Sequence, residues 1–472
     1  MSSRIHLIGV CGTAMATLAA MLKRKGHDVQ GSDQDVYPPM SDFLALEGIR
    51  TLVGYKPEHI TGDLDLVVVG NAISRGNPEL EEVLDRKIRY CSLPEAIREH
   101  FLWGARSIVL AGTHGKTTTT SLTGWLLTHG GADPSVLVGG IARNFGAQGS
   151  SYRIGQGRDF VIEGDEYDSA FFDKTAKFLK YLPDIAVINN VEFDHADIYA
   201  DFDAVTLAFR RLVNLVPRRG LLLIGADSPG AKALLGKAVS RVQTFGTGDD
   251  VEWQAHDLEP AGAATRFKVR RAGTPFGVFE LPMVGAYNVR NATAAIAVAT
   301  EVGIGPERIA EGLRTFAGVK RRLEIVGVVD GVTVYDDFAH HPTAVAETLA
   351  GLRASNPDAR IWAVFEPRSA SSCRRVFQDD FGRAFAGADK VLIAPIFRST
   401  LPESERLSIP QLVCDLDAQG LSAREAESID DIVAAIVKEH RPGDLVVLMS
   451  NGGFGAIHQK LLRALGGAER SA

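Results

Sequence analysis

Residues 106–129 read RSIVLAGTHGKTTTTSLTGWLLTH: an apolar run, a short glycine-bearing turn, then a proline-free segment opening on lysine. A buried strand feeding directly into a helix restricts this region to an α/β layer, with the turn at the strand's carboxyl end. Gly112 and Gly115 allow the backbone to turn its N–H groups inward, and the helix N-terminus adds partial positive charge, so an anion is favoured there. Lys116 can neutralise phosphate oxygens and Thr117 can offer a hydroxyl to Mg²⁺, with Thr113, His114 and Thr118 completing the turn. The glycine spacing is shorter than GxxxxGK[ST], and an ordinary strand-to-helix turn is the alternative. The loop is read as ATP-binding, a property shared by kinases, motor-like ATPases and ATP-dependent ligases.

The remaining chain must choose among these. With 472 residues it exceeds one ordinary core, and about two to four domains are expected. Short β-branched runs alternate with amphipathic segments throughout. RIHLIGV reads as a strand, TAMATLAAMLKRKG as a helix closed by Gly26, and DLVVVG as another buried strand. A new unit opens at RSIVLAG and a third after FAGVKRRLE, where GVTVYDDFAH begins a further strand, which places boundaries near residues 105 and 320. The expected class is α/β with largely parallel strands. A net charge of −7 gives no electrostatic support for general binding to nucleic acid or anionic membranes. The N-terminal apolar run is too short for a signal peptide, and no later run reaches membrane-spanning length. Cys11, Cys91, Cys373 and Cys414 show no metal-ligand spacing and read as reduced thiols of a cytoplasmic protein.

VIEGDEYDSAFF and INNVEFDHADIY each follow an expected strand, so parallel strands deliver their side chains to the edge that carries the glycine turn. Glu163 and His195 are candidates to complete a Mg²⁺ site with Thr117, although imidazole is an unusual ligand for so hard an ion. The alternative for His195 is that it and the nearby acids cap a helix. Taken together, AGTHGKTTT, NNVEFDH, GAYNVRNATAA and DDFAHHP resemble, in order and spacing, the Mur ligase family, which builds the peptide of bacterial cell-wall precursors. The resemblance covers nearly the whole chain. It implies a Rossmann-like N-terminal domain for a UDP-sugar (residues 1–105), a central P-loop ATPase domain (106–319) and a Rossmann-like C-terminal domain for the incoming amine (320–472).

The resemblance also implies residue roles. Lys116 holds the ATP phosphates and Thr117, Glu163 and His195 the Mg²⁺. Asn288 and Asn291 face the adenine, with helix capping as their alternative. Arg322 reaches phosphate, while Asp337 and His340 close over the ribose. Lys116, Glu163, His195 and Arg322 form the implied catalytic set. The lysine that many members carbamylate corresponds to Arg210, which argues against that feature here. HLIGVCGTAMATLA resembles the branch acting on UDP-N-acetylmuramate: Gly12 and Thr13 open a helix facing a diphosphate, and Asp33 suits ribose or uracil. Asn71 and Ser74 look like further sugar contacts, with a plain polar turn as the alternative. FEPRSASSCRRVFQ and SNGGFG depart from the alanine-adding members and resemble a ligase that accepts the recycled tripeptide L-Ala-γ-D-Glu-meso-diaminopimelate. Arg368 and Asn451 are the peptide-binding candidates, Arg368 pairing with carboxylates. Arg374 and Arg375 read more simply as surface charge. The alternative activity is addition of free L-alanine, and FAGVKRRLE is the expected hinge.

Overall fold

The computed structural model describes residues 2–37, 40–397 and 401–468. Two compact units interleave along the sequence. One comprises the chain up to Glu192, Phe202–Trp253 and Ala294–Ile309; the other comprises Phe193–Asp201, Gln254–Thr293 and the chain from Ala310 onward.

The first unit holds two larger sheets and a two-stranded antiparallel ribbon, Asp168–Ala170 with Asp173–Ala176. In one, five parallel strands lie in the order Arg50–Val53, Asp28–Asp33, Arg4–Ile8, Leu66–Val69, Tyr90–Ser92. The chain winds outward from Arg4–Ile8 to one side, then returns to continue on the other. The crevice at that reversal, above the strands' carboxyl ends, is where such sheets take ligands. Gly9–Thr13, Asp33 and Asn71 all leave strands at this edge. The helix Thr13–Arg24 buries the continuous run Met15–Leu22. Gly26, at φ +96°, ends it as the sequence predicts, donating its N–H to Lys23 O at 2.9 Å.

The second sheet has Arg106–Ala111 near its middle, flanked in parallel by Ile185–Ile188 and Asp159–Gly164. Leu221–Gly225 and Arg241–Gly246 extend it on one side, and Ser135–Ala142 on the other. The strands Arg106–Ala111, Asp159–Gly164, Ile185–Ile188 and Leu221–Gly225 are almost wholly buried, which accounts for unbroken apolar runs instead of alternation. The expected helix KTTTTSLTGWLLTH runs Lys116–His129.

The second unit is built on Val332–Asp337, Leu445–Met449, Ile361–Phe365, Lys390–Ile393 and Ser422–Glu425, parallel in that order, with Glu324–Val329 antiparallel at the margin. Separate apolar clusters cover its two faces, one around Phe365, Phe381 and Phe385, the other around Trp362, Val446 and Leu461. Asp337, Glu366, Arg368 and Asn451 therefore emerge together at one carboxyl edge.

Candidate active site

The turn after Arg106–Ala111 is fixed by the neighbouring strand's exit. Asn190 accepts Thr113 N–H at its carbonyl (3.1 Å) and His114 N–H at Oδ1 (2.7 Å). Gly112 sits at φ +136°, and a Cβ there would lie 3.0–3.1 Å from Asn189 and the Asn190 nitrogen, so both conformation and space require glycine. Lys116 Nζ donates to Thr113 O (3.1 Å) and to Glu166 Oε1 (2.9 Å). Burial works against its charge, but Glu166 and Asp165 outweigh burial and hold its pKa above the ordinary lysine value. Asp165 is partly buried, which favours its neutral form, yet Lys177 and Lys116 pull its carboxyl well below the usual range. Thr117 Oγ1 donates to Glu163 Oε1 (3.0 Å), whose Oε2 accepts Gly139 N–H (2.6 Å). Thr118 is buried in the helix, and His114 Nε2 lies 3.3 Å from Glu192 Oε2. An ammonium and a hydroxyl–carboxylate pair at a helix N-terminus form a receptor for an anion accompanied by a hard cation. Arg210, on the helix Phe202–Leu215, points to solvent.

At the N-terminal sheet, Ser32 O accepts Gly9 N–H and Val10 N–H (2.8 and 2.9 Å). Gly12 precedes the helix and brings no side chain to cover its first amides. Asp33 Oδ2 accepts Cys11 N–H (2.8 Å), and its Oδ1 accepts the Tyr55 hydroxyl (3.2 Å). Asn71 Nδ2 donates to Asp168 Oδ1 (3.0 Å), so Asn71 ties this edge to the short strand Asp168–Ala170 that follows Glu163. Ser74 is exposed in the next turn.

The second unit gathers the remaining candidates. Asp337 is buried and accepts Leu323 N–H (2.6 Å) and Ala339 N–H (2.8 Å); burial raises its pKa despite Arg322 nearby. Arg322 lies over the Phe338 ring at 5.0 Å. Its neighbour Arg321 is fixed by Asp336 (3.1 Å) and the carbonyls of Ser450 and Gly452 (2.7 Å each). His195 has φ +54° and lies within the segment Phe193–Asp201 that belongs to this unit. It adjoins buried Asp194, which burial disfavours but His195, His340 and His341 hold far below the ordinary carboxylate range. Asn288 and Asn291 lie inside the helix Ala286–Val302, not at its cap. Asn288 Nδ2 donates to Val284 O (2.8 Å), and Asn291 Nδ2 reaches Asn288 Oδ1 at 3.5 Å.

Arg368 is no loose surface charge. Its guanidinium lies over Phe397 at 3.6 Å and 3.4 Å from Glu366 Oε1, and a Cβ built on Gly452 would overlap it. Glu366 also accepts the Ser450 hydroxyl. Asn451 Oδ1 is a buried acceptor with no hydrogen-bond partner among the described residues, which a ligand N–H would satisfy. Arg374, by contrast, pairs with Glu405 at 3.0 Å beside exposed Arg375, as the surface reading expects.

Several residues of these clusters carry no sequence signal strong enough to single them out. Glu166 sits three positions after Glu163, and Asn190 lies in the quoted NNVEFDH stretch. His341, next to His340, accepts Thr343 N–H at Nδ1 (3.3 Å), which leaves Nε2–H to donate to Phe193 O (3.1 Å).

The chain matches three family descriptions in succession: Mur ligase family, catalytic domain, over residues 4–102; Mur ligase middle domain over 110–299; and Mur ligase, glutamate ligase domain, over 321–452. A curated Escherichia coli relative, UDP-N-acetylmuramate–L-alanyl-γ-D-glutamyl-meso-2,6-diaminoheptandioate ligase, is 40% identical across 98% of each chain. The chain belongs to the Mur ligase family. Like other Mur ligases it is an ATP-dependent, amide-forming enzyme with a three-domain α/β architecture. A Rhizobium meliloti member, UDP-N-acetylmuramate–L-alanine ligase, is 38% identical over 95% of this chain and 94% of its own. A solved Mur ligase structure, murein peptide ligase from Psychrobacter arcticus, covers 98% of this chain and 99% of its own at 36% identity, with a TM-score of 0.72. Among the described residues no helix is long and apolar enough to cross a membrane.

Proposed function

We propose that this enzyme joins UDP-N-acetylmuramate to the tripeptide L-Ala-γ-D-Glu-meso-diaminopimelate, using ATP, in the cytoplasmic recycling of peptidoglycan. The observation that carries this reading is the 40% identity, over 98% of both chains, to a relative named for that reaction. The edge formed by Arg368, Glu366 and Asn451 is consistent with an amine substrate bearing carboxylates and amides. The alanine-adding alternative draws on the 38% identity to the Rhizobium meliloti ligase, whose name specifies L-alanine.

The chemistry follows from the poor leaving group of a carboxylate. The lactyl carboxylate of the muramate attacks the γ-phosphorus of ATP, releasing ADP and forming an acyl phosphate. The α-amine of the peptide's L-Ala then attacks the acyl carbon, and the tetrahedral intermediate collapses to the amide and inorganic phosphate. In this reading Lys116 and Arg322 offset the charge of the transferring phosphoryl group. Gly112, Thr113, His114, Gly115 and Thr118 cradle the phosphates through the turn and helix start. Thr117 and Glu163 fit Mg²⁺ as hard oxygen donors, with His195 as the third expected ligand. The ion would offset phosphate charge. Asn288 and Asn291 are assigned to the adenine and Asp337 and His340 to the ribose. Gly12, Thr13, Asp33, Asn71 and Ser74 are assigned to UDP-N-acetylmuramate, and Arg368 and Asn451 to the peptide. The three functional blocks run 1–105, 106–319 and 320–472.

Phosphate release from ATP with UDP-N-acetylmuramate, comparing tripeptide with free L-alanine and checking product mass, tests the assignment. Release and a matching conjugate with tripeptide alone are expected. Preference for L-alanine would make the enzyme biosynthetic.

A further inference from the structure

Beneath the N-terminal edge lies a buried polar group to which the reaction assigns nothing. Glu79, the second residue of the helix Pro78–Asp85, is fully buried. Its Oε2 lies 3.0 Å from His6 Nε2 and accepts the Ser32 hydroxyl at 2.5 Å. Its Oε1 lies 2.6 Å from His59 Nδ1 and accepts Lys56 N–H at 3.2 Å. Gln30 Nε2 is 3.4 Å from His6 Nδ1, so a neutral His6 carrying its proton on Nε2 satisfies both neighbours. One carboxylate thus serves four donors from three segments. A buried acid is retained at such a position only when its donors are well placed.

Each of those segments leads to the same edge. Ser32 O holds Gly9 N–H and Val10 N–H of the glycine turn. Asp33 follows Ser32 and accepts Cys11 N–H. Lys56 follows Tyr55, whose hydroxyl donates to Asp33. We propose that Glu79 is the positioning residue of the nucleotide-sugar site, setting the Gly9–Gly12 turn through Ser32 and the Asp33–Tyr55 pair through Lys56. The inference rests on the reading of this edge as the UDP-N-acetylmuramate site. Glu79 itself touches no substrate; it fixes the backbone that does.

The test uses the full-length enzyme, with UDP-N-acetylmuramate binding followed by calorimetry and KM measured for each substrate. Glu79→Gln puts an amide where two acceptor oxygens are needed, and Ser32→Ala removes only the hydroxyl linking Glu79 to the turn. Both are expected to weaken UDP-N-acetylmuramate on the order of tenfold in Kd and KM, with the KM values for ATP and tripeptide little changed. The double variant is expected to be no weaker than Glu79→Gln alone, because both break one connection. Should Glu79→Gln fail to fold, Ser32→Ala carries the same measurement. Wild-type affinity in folded Ser32→Ala and Glu79→Gln, while Asp33→Ala loses binding, would reduce Glu79 to packing and overturn the proposal. Wild-type affinity in Asp33→Ala as well would overturn the reading of the edge itself.

Discussion

At the scale of single residues, Lys116 is held by opposing carboxylates before any phosphate arrives. Its raised pKa keeps it cationic, and Glu166 at 2.9 Å occupies it. Lys116→Ala should therefore do two separable things. Turnover should fall at least about a thousandfold, because on the proposed reading the lost cation would face the transferring phosphoryl group. Stability should fall by about 3 kcal/mol, because buried Glu166 loses its lysine. The double variant Lys116→Ala/Glu166→Gln should regain most of the stability and none of the turnover, as denaturation and phosphate release together would register. Recovery of turnover would remove Lys116 from the chemistry. Gly452 makes a second residue-scale case, since a methyl group there overlaps Arg368. Gly452→Ala should displace the guanidinium from Phe397 and raise the peptide KM about tenfold, leaving the ATP KM within about twofold. Arg368→Ala should raise the peptide KM at least as much. An unchanged peptide KM in both would return Arg368 to surface charge. Lys116 and Arg368 are identifiable as candidates in the sequence because their type and their place after a strand suffice. Glu166 and Glu366 are not, because nothing in a string of residues says which of several nearby acids a lysine or arginine will meet.

At the scale of elements, strand runs, glycine turns and the helix Lys116–His129 are readable because local pattern decides them. The helix Ile429–Glu439 shows what the pattern omits. Ser428 caps its start by accepting Asp431 N–H (3.1 Å). At its other end His440 lies 2.8 Å from both Val437 O, through Nδ1, and Asp330 Oδ2, through Nε2. Two acceptors call for a proton on each ring nitrogen. The bond to Asp330 raises the His440 pKa above its ordinary 6.5, burial opposing. A raised folded-state value means the added stability is fully present below about pH 6.5 and is lost as pH rises through the elevated value. Asp330 is more than a third exposed, so the gain is only about 0.5 kcal/mol. Asp330→Asn should cost about that much at pH 5.5 and next to nothing at pH 9, as paired urea titrations would measure. An equal cost at both values would rule out His440 as its partner.

At the scale of the whole molecule, the four cysteines are spread through the fold and none is joined to another. Burial pushes the Cys91 thiol up to about 12, and burial with Asp33 nearby pushes Cys11 up to about 11. Cys373 is fully buried and Cys414 is exposed. At pH 8 a thiol reagent should modify Cys414 first, and Cys414→Ser should abolish the rapid phase; a rapid phase surviving that change would place a second thiol at the surface. The sequence by itself determined the α/β class, the alternation of strand and helix, the strand–glycine turn–helix unit that opens on Lys116 and the family, because these depend on short-range pattern and on motifs in fixed order. Tertiary structure alone decided that Asp33, Asn71 and the Gly9–Thr13 turn share one sheet edge, and that Asp337, Arg368 and Asn451 share another. It also decided that Asn288 and Asn291 lie within a helix instead of capping it. Strand order brings residues as far apart in sequence as Asp337 and Asn451 to one edge, and hydrogen-bond competition among buried groups then selects the pairs. Neither the order nor the competition is written in local pattern.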